Sequence, residues 1–244
     1  MYQPRTYRRW IKDEGLVAFN VIVKETDLYI LATKDLRNEA TESVQKHRQP
    51  LEEYIAGHPL FRHSLEPFPV EDDAPEIVKD MARASATVGV GPMAAVAGAI
   101  AEYVGKDLLA YSPEVIVENG GDIFASVTRN RLIGVFAGES KFTGKIALEI
   151  RPDKTPLGIC TSSGTVGHSL SLGSADAVIV LSPSTALADA AATAIGNKIT
   201  DTDDVDQVIE EAKSIEGLAG AVIIKDGRMG VWGDVKLVPI NGSC

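Results

Sequence analysis

Residues 118–125, with the sequence ENGGDIFA, combine backbone freedom with polar side chains. Apolar residues precede and follow them, so we predict a strand, a tight turn and a second strand. Gly120 and Gly121 can adopt positive φ and present backbone N–H groups, while Asn119 and Asp122 add hydrogen-bonding side chains. A ligand could therefore approach the backbone here, although Asn-Gly-Gly-Asp taken alone is more often an ordinary hairpin turn.

A second polar stretch, residues 158–173, has the sequence GICTSSGTVGHSLSLG. Its density of hydroxyl groups and glycines predicts a loop-like lining for a ligand, with contacts from Ser162, Ser163, Gly164 and Thr165. A nucleophilic serine served by His168 is disfavoured, because the sequence has no Gly-x-Ser-x-Gly element. His168 can equally be an ordinary loop histidine.

Asp189 and Thr193 are four residues apart in the alanine-rich segment LADAAATAIG. They share one face of a predicted helix that begins after Ser182 or Ser184 as cap. A carboxylate among alanines is costly to desolvate unless it has a partner. Mg²⁺ would be such a partner if it were bound by this carboxylate, the hydroxyl and substrate phosphates. The alternative is that Asp189 points to water or accepts backbone N–H groups near a helix start.

Composition restricts the classes of function. The 244 residues, 45% of them hydrophobic, predict a single domain spanning 1–244. With 24 basic and 34 acidic residues the net charge is −10, which argues against a nucleic-acid partner. Cys160, predicted in a loop, and Cys244 form neither a disulfide framework nor a metal pattern, which fits a reducing cytoplasm. We expect no membrane insertion, because no apolar run reaches the roughly 18 residues that a span requires.

Hydrophobic periodicity predicts an α/β fold of the α+β type, in which helices cover a mainly antiparallel central sheet. We expect a β-meander at residues 8–35 and two helices at 36–47 and from Pro50. A small-residue segment and a buried helix are expected between residues 85 and 104. Strands at 132–137 and 145–150 are expected to extend the central sheet. The remaining predicted elements are a helix at 76–84, a strand at 175–180, an acidic helix at 203–214, a hairpin at 220–232 and an edge strand at 237–240.

Four segments, taken in order, carry a resemblance to a known family: the small-residue loop and helix of residues 88–104, then VENGGDIFA, TSSGTVGHS and LADAAATAIG. The series resembles the ApbE-like FAD:protein FMN transferases, a fold related to the tunnelling fold. The resemblance implies FAD or FMN as ligand, with nucleotide contacts from Asn119, Gly120, Gly121 and Asp122. It also implies Mg²⁺ ligands at Asp189 and Thr193. Ser162-Ser163-Gly164, followed by Thr165, matches the family's Thr-Ser-Gly.

The chain departs from the family at two places, which makes it resemble a divergent branch. Val90-Gly91-Pro92 replaces the family's Ala-Lys-Gly, and residues 168–172 keep only the histidine of His-x-Ile-Asp-Pro. Three functions stay open. The first is Mg²⁺-dependent transfer of FMN from FAD to a threonine of a protein acceptor, with His168 or Asp122 as the base. The others are a non-catalytic flavin or nucleotide binding module and a tunnelling-fold-like enzyme acting on a pterin or purine. A homo-oligomer is compatible with each of them.

Overall fold

The computed structural model describes residues 15–164 and 172–240. The strands in these ranges are β1 Val17–Val23, β2 Thr26–Ala32, β3 Val115–Asn119, β4 Asp122–Ser126, β5 Arg131–Gly134, β6 Ile146–Ile150, β7 Leu157–Ser162, β8 Ala177–Ser182, β9 Gly220–Lys225, β10 Arg228–Gly233 and β11 Leu237–Pro239. The α-helices are α1 Arg37–Gly57, α2 Pro59–His63, α3 Glu76–Val88, α4 Val96–Leu108, α5 Thr185–Gly196 and α6 Asp204–Lys213. Short 3-10 helices occupy Pro92–Ala95 and Pro152–Lys154.

Eight strands form one large sheet in the order β1-β2-β3-β4-β7-β8-β9-β10. Each neighbouring pair is antiparallel. The predicted hairpins at residues 118–125 and 220–232 both form, since β3 pairs with β4 and β9 pairs with β10. The predicted fold class, an α+β protein with a mainly antiparallel central sheet covered by helices, is therefore confirmed.

The prediction that residues 132–137 and 145–150 extend the central sheet is wrong. They contribute β5 and β6 to a separate three-stranded sheet in the order β11-β6-β5. Ile133, Leu148 and Ile150 pack against Ile116 and Ile159 of the large sheet, so the two sheets share an apolar interface. A strand that lies on another sheet buries only one of its faces, and β5 alternates between buried and half-buried residues accordingly.

Helices cover the opposite face of the large sheet. Val117 and Phe124 belong to the apolar core that β1 to β4 share with α1, α3 and α4, and α5 and α6 pack over β7 to β9 in a second core. Helix α4 approaches the sheet closely at Gly105, where an added Cβ would lie 2.1 Å from a ring carbon of Phe124. Helix α3 runs past its predicted end at residue 84 to Val88, and Gly89 then ends it with a left-handed φ of 74°.

The prediction of two helices around Pro50 is also wrong, because α1 continues through this proline. Proline removes one backbone N–H and disfavours a helix interior. Val44 before it and Leu51 and Tyr54 after it are all buried in the same core, so packing of the helix face outweighs the local cost. Arg48 also donates from Nε to Glu52 Oε1 at 2.9 Å, which joins the turns on either side of Pro50.

Within residues 15–164 and 172–240, no single helix is long and apolar enough to cross a membrane. Helix α3 and the segment Pro92–Leu108 meet that criterion only as a pair, and the chain bends by 105° between them.

A buried ion pair fixes the connection between β3 and β5. Arg131 donates from Nε to Glu114 Oε1 at 2.5 Å, and each side chain is 3% exposed. Thr128 donates its hydroxyl to the other carboxylate oxygen at 2.7 Å. Burial alone would raise the pKa of Glu114, but the hydrogen bonds from Arg131 and Thr128 outweigh it and hold that pKa below its usual value. The carboxylate is therefore charged at neutral pH.

We predict that Glu114→Gln lowers the free energy of unfolding by about 3 kcal/mol, because it removes the carboxylate charge that the buried Arg131 guanidinium binds. Urea denaturation at pH 7 measures the change. Glu211→Gln, which breaks the exposed pair with Lys198, is the matched control and should cost less than about 1 kcal/mol. Since the folded pKa of Glu114 is lowered, its contribution is lost as the pH falls through that value, and wild type should lose stability in acid more steeply than Glu114→Gln. Equal effects of the two substitutions would contradict the prediction.

Candidate functional site

The turn between β3 and β4 forms as predicted and lies beside the end of β7. Asn119 pairs with Asp122 across the turn, and Asp122 pairs with Cys160 of β7. Gly120 and Gly121 have φ values of 70° and 112°, a region that L side chains rarely adopt. These positive φ values are what the turn requires of its two glycines.

Glu118 already uses one of the backbone groups of this turn. The N–H of Gly121 donates to Glu118 Oε1 at 2.8 Å, so it is engaged within the hairpin. An added Cβ at Gly121 would lie 3.6 Å from the carbonyl oxygen of Thr161, which places the turn against the end of β7. The polar edge of the turn that remains for a ligand is therefore formed by Asn119 and Gly120.

Asn119 connects this turn to the first turn of α4. Its side chain is half-buried, and Nδ2 donates to the carbonyl oxygen of Ala97 at 3.1 Å. Asn119 is the last residue of β3, so this hydrogen bond fixes the strand end against the helix start.

Asp189 of α5 meets the same helix start from the other side. The residue is 9% exposed, and Oδ2 accepts the N–H of Gly98 at 2.8 Å. An added Cβ at Gly98 would lie 2.5 Å from the carbonyl oxygen of Thr185 and 2.8 Å from Asp189 Cβ. The interpretation in which Asp189 accepts backbone N–H groups near a helix start thus holds for the start of α4. One carboxylate oxygen serves that helix, whose N-terminal end favours negative charge.

Asp122, Cys160 and Asp189 form a buried acidic cluster. Burial raises the pKa of Asp122 to about 7; the hydrogen bond from the Cys160 thiol opposes this shift, and the charge of Glu118 reinforces it. Burial and then repulsion from Asp122 raise the pKa of Asp189 well above its usual value, against the backbone N–H groups of Gly98 and Ala97. Burial likewise raises the pKa of the Cys160 thiol, as do the two neighbouring carboxyl groups.

Cys160 does not lie in a loop, as the sequence interpretation expected. It is fully buried in β7, where its thiol is 3.4 Å from the carbonyl oxygen of Thr185. The residues predicted as a hydroxyl-rich loop thus begin as a central strand, because Ile159 and Cys160 pack on opposite faces of the sheet.

The acidic cluster suits a divalent cation. Among the described residues, no Lys or Arg side chain bonds to Asp122 or Asp189, and a bound metal ion would be a counter-charge that lets these carboxyl groups ionise despite burial. Thr193 lies one helical turn after Asp189 and is half-buried. No described group of three His, Cys, Asp or Glu side chains could hold a metal ion alone. A Mg²⁺ ion here would take one or two carboxylates from the protein and its other ligands from substrate phosphates and water, a pattern common for this ion.

The other predicted contacts divide into three groups. Ser162 ends β7 next to α5, because an added Cβ at Gly196 would lie 3.4 Å from its hydroxyl oxygen. Ser163 and Gly164 both donate to the carbonyl oxygen of Ala175, the hydroxyl at 3.5 Å and the N–H at 3.0 Å. Thr165 and His168 lie outside the described residues.

A cavity of about 650 Å³ adjoins the site between the β1–β2 turn, α1, α2 and the start of α4. It reaches Asn119 and Ala97, and its apolar lining includes Leu51, Met93 and Ile100. The sequence interpretation missed this cavity, because its lining comes from segments that are far apart in the chain.

Charged residues surround this cavity. Arg48 pairs with Glu25 and Glu52, and Lys24 also pairs with Glu52. Arg62, on the exposed side of α2, also lines the cavity, next to His63. The cavity therefore combines an apolar lining with a rim that can attract an anionic group.

Comparisons with known proteins assign the chain to a family. A family model described as AbpE bacteria matches residues 8–231. The UPF0280 protein MJ1526 of Methanocaldococcus jannaschii is 43% identical over 221 residues, which cover 88% of this chain and 90% of that protein.

Solved structures resemble the fold. The flavinyl transferase ApbE of Pseudomonas stutzeri, in its apo form, has a TM-score of 0.59 at 14% identity, with 91% of this chain and 94% of that chain covered. The flavin transferase ApbE of Vibrio cholerae has a TM-score of 0.58 at 13% identity, with 91% and 97% covered. At these identities the likeness concerns the fold, and it agrees with the sequence resemblance described above. The chain belongs to the family described as AbpE bacteria and is a divergent member with the ApbE-like fold.

Proposed function

We propose that the protein binds a flavin nucleotide together with Mg²⁺ and transfers FMN from FAD to a threonine of a protein acceptor. One observation carries the proposal: Asn119, which lines the 650 Å³ cavity, and Asp189 both bind the first turn of α4. Three features thus lie next to one another: a carboxylate for a metal, a polar turn for phosphates and an apolar cavity for a ring. The two solved structures of similar fold, a flavinyl transferase and a flavin transferase, agree with this assignment.

The ring system fits the cavity by size and chemistry. Ligand pockets of about 300–1,000 Å³ with apolar walls and a few polar groups are typical of small-molecule sites. Leu51, Met93 and Ile100 would contact the faces of an isoalloxazine. Asn119, which also lines the cavity, would orient the ligand where the ring meets its phosphate-bearing chain.

The phosphates would lie between the β3–β4 turn and α5. Gly120, exposed in the turn, and Ser162, at the end of β7, are the groups that would donate to phosphate oxygens. Asp189 and Thr193 would hold Mg²⁺ beside the pyrophosphate. When bound, the ion supplies positive charge that offsets the phosphates and stabilises the charge that develops in phosphoryl transfer.

In the transfer step, a threonine hydroxyl of the acceptor forms a phosphoester with the FMN phosphorus as the pyrophosphate P–O bond to AMP breaks. The hydroxyl proton passes to a base, and AMP leaves with the bond's electron pair. Asp122 and His168 are the candidate bases. Asp122 is the one within the described residues, where it lies opposite Cys160 of β7 in the strand pairing. A non-catalytic flavin-binding module would use the same cavity and turn without this step.

The metal role is tested with Asp189→Asn, which keeps the size of the side chain and removes its charge. We expect FAD binding in Mg²⁺ to weaken by about tenfold or more, and the weaker binding in EDTA to change little. Riboflavin, which has no phosphate, should respond to neither metal nor mutation. Isothermal titration calorimetry measures each affinity. Thr193→Val gives a second variant that removes only a hydroxyl.

Asp206→Asn, on the exposed face of α6, is the matched control for the loss of one carboxylate. It should leave all four titrations unchanged. If Asp189→Asn weakened FAD and riboflavin equally, with or without Mg²⁺, Asp189 would be a structural residue and the transfer proposal would lose its main support.

The turn is tested with Gly121→Val. A β-branched residue resists the φ of 112°, so the variant should lose about 1–3 kcal/mol of stability and most of its FAD binding. Gly227→Val, in the β9–β10 hairpin at a φ of 78°, carries a comparable backbone strain outside the site. It should lose similar stability and keep FAD affinity. FAD binding that survives Gly121→Val unchanged would make the turn purely structural.

A further inference from the structure

Helices α4 and α5 cap each other's first turns. Asp189 of α5 accepts the N–H of Gly98 in α4 at 2.8 Å. In the opposite direction, Glu102 of α4 accepts the N–H of Thr185 at 2.7 Å and that of Ala186 at 3.3 Å, both in α5. The first N–H groups of a helix have no partner within it, so each carboxylate satisfies groups that would otherwise be buried and unpaired.

Glu102 is buried in the contact between α4 and α5. It is 8% exposed as a residue, and its second oxygen, Oε1, accepts from Lys106 Nζ at 2.6 Å. Both carboxylate oxygens are therefore held, one by its own helix and the other by the backbone of α5. This arrangement leaves the carboxylate little freedom to turn away.

The backbones of α4 and α5 approach closely at Gly98, and this contact links the residues that Glu102 binds to Asp189. The carbonyl oxygen of Thr185 would lie 2.5 Å from a Cβ added at Gly98. The residues whose N–H groups Glu102 binds thus lie against the same turn of α4 that Asp189 caps. A small rotation of α5 would break both caps together.

We infer that Glu102 is a positioning residue for the metal site: by holding the first turn of α5, it sets where the Asp189 carboxylate lies one turn later. This inference rests on the proposed function, in which Asp189 binds Mg²⁺. Residues that orient a metal ligand through hydrogen bonds characteristically change metal affinity by about 10–100-fold when they are substituted.

A purely structural cap is the competing explanation, and the chain offers a matched control for it. Ser184 is the N-cap of α5, and its hydroxyl accepts the N–H of Leu187 at 3.3 Å. Ser184→Ala removes a cap from the same helix end without touching α4. Glu102→Gln keeps an oxygen acceptor but removes the charge and the ion pair with Lys106.

The experiment measures FAD binding by calorimetry across a Mg²⁺ titration, with urea denaturation of each variant. For Glu102→Gln we expect the Mg²⁺ concentration at half-maximal FAD affinity to rise by about tenfold, with riboflavin affinity unchanged. Ser184→Ala should lose comparable stability and keep the wild-type Mg²⁺ midpoint. Lys106→Met, which frees one oxygen of Glu102, should raise the midpoint by about twofold, and it keeps the inference testable if Glu102→Gln does not fold.

The outcomes separate the inference from the proposed function. If Mg²⁺ has no effect on FAD binding by wild type, the proposed metal site fails and the inference fails with it. If wild type depends on Mg²⁺ but Glu102→Gln and Ser184→Ala have the same Mg²⁺ midpoint, Glu102 is only a cap and the inference alone is overturned. If Glu102→Gln cannot be purified, the same conclusion follows when Lys106→Met leaves the midpoint unchanged.

Discussion

The close contact of α4 with α5 at Gly98 is the constraint on which the site depends. Only glycine permits it, because any Cβ would overlap the carbonyl oxygen of Thr185 and the side chain of Asp189. The contact allows Glu102 and Asp189 to reach the backbone of the opposite helix. Asn119 then binds Ala97 in the same turn, so the sheet, α4 and α5 meet there. The candidate site is the outer surface of this junction.

The junction buries two carboxyl groups whose ionisation would place negative charge where water is excluded. Asp122 and Asp189 are buried with Cys160 between two layers of structure, and burial raises the pKa of each carboxyl group. The positive end of α4 offsets part of this charge through the N–H of Gly98. Such a cluster is unfavourable for stability alone, because apolar residues of similar volume would pack without a desolvation cost. Perturbed carboxyl groups beside a cavity are characteristic of functional sites, and a cation would complete this one.

Local signals in the sequence predicted the parts of the site that depend on neighbouring residues. The two glycines fixed the β3–β4 turn, Ser184 caps α5 as one of the two expected residues, and the antiparallel sheet followed from alternation. Predictions failed where distant segments decide the structure. Pro50 stays inside α1 because its flanking residues are buried, and β5 and β6 pack on the large sheet instead of joining it. The predicted oligomer, cytoplasmic location and lack of a nucleic-acid partner remain predictions.

Likewise, candidate functional residues could be recognised from the sequence only where they lie within one helix or strand. Asp189 and Thr193 stand out because they are four residues apart on a helix, whereas Glu102 lies 83 positions before Thr185 and gave no signal. The one clue to its role was its place as the first charged residue in a run of small apolar residues. A carboxylate in such a helix needs a partner, and here the partner is the start of another helix.

The distribution of charge also constrains how an anionic ligand reaches the junction. The protein carries a net charge of −10, and Asp122 and Asp189, once ionised, would add to the repulsion that a pyrophosphate meets at the site. Lys24 and Arg48 at the cavity rim are balanced by Glu25 and Glu52, which leaves Arg62 as the basic residue of the rim outside that network. One exposed arginine cannot offset two buried carboxylates. In the proposed function, a pyrophosphate beside ionised Asp122 and Asp189 would therefore need a counter-ion, whereas a ring without phosphates would not.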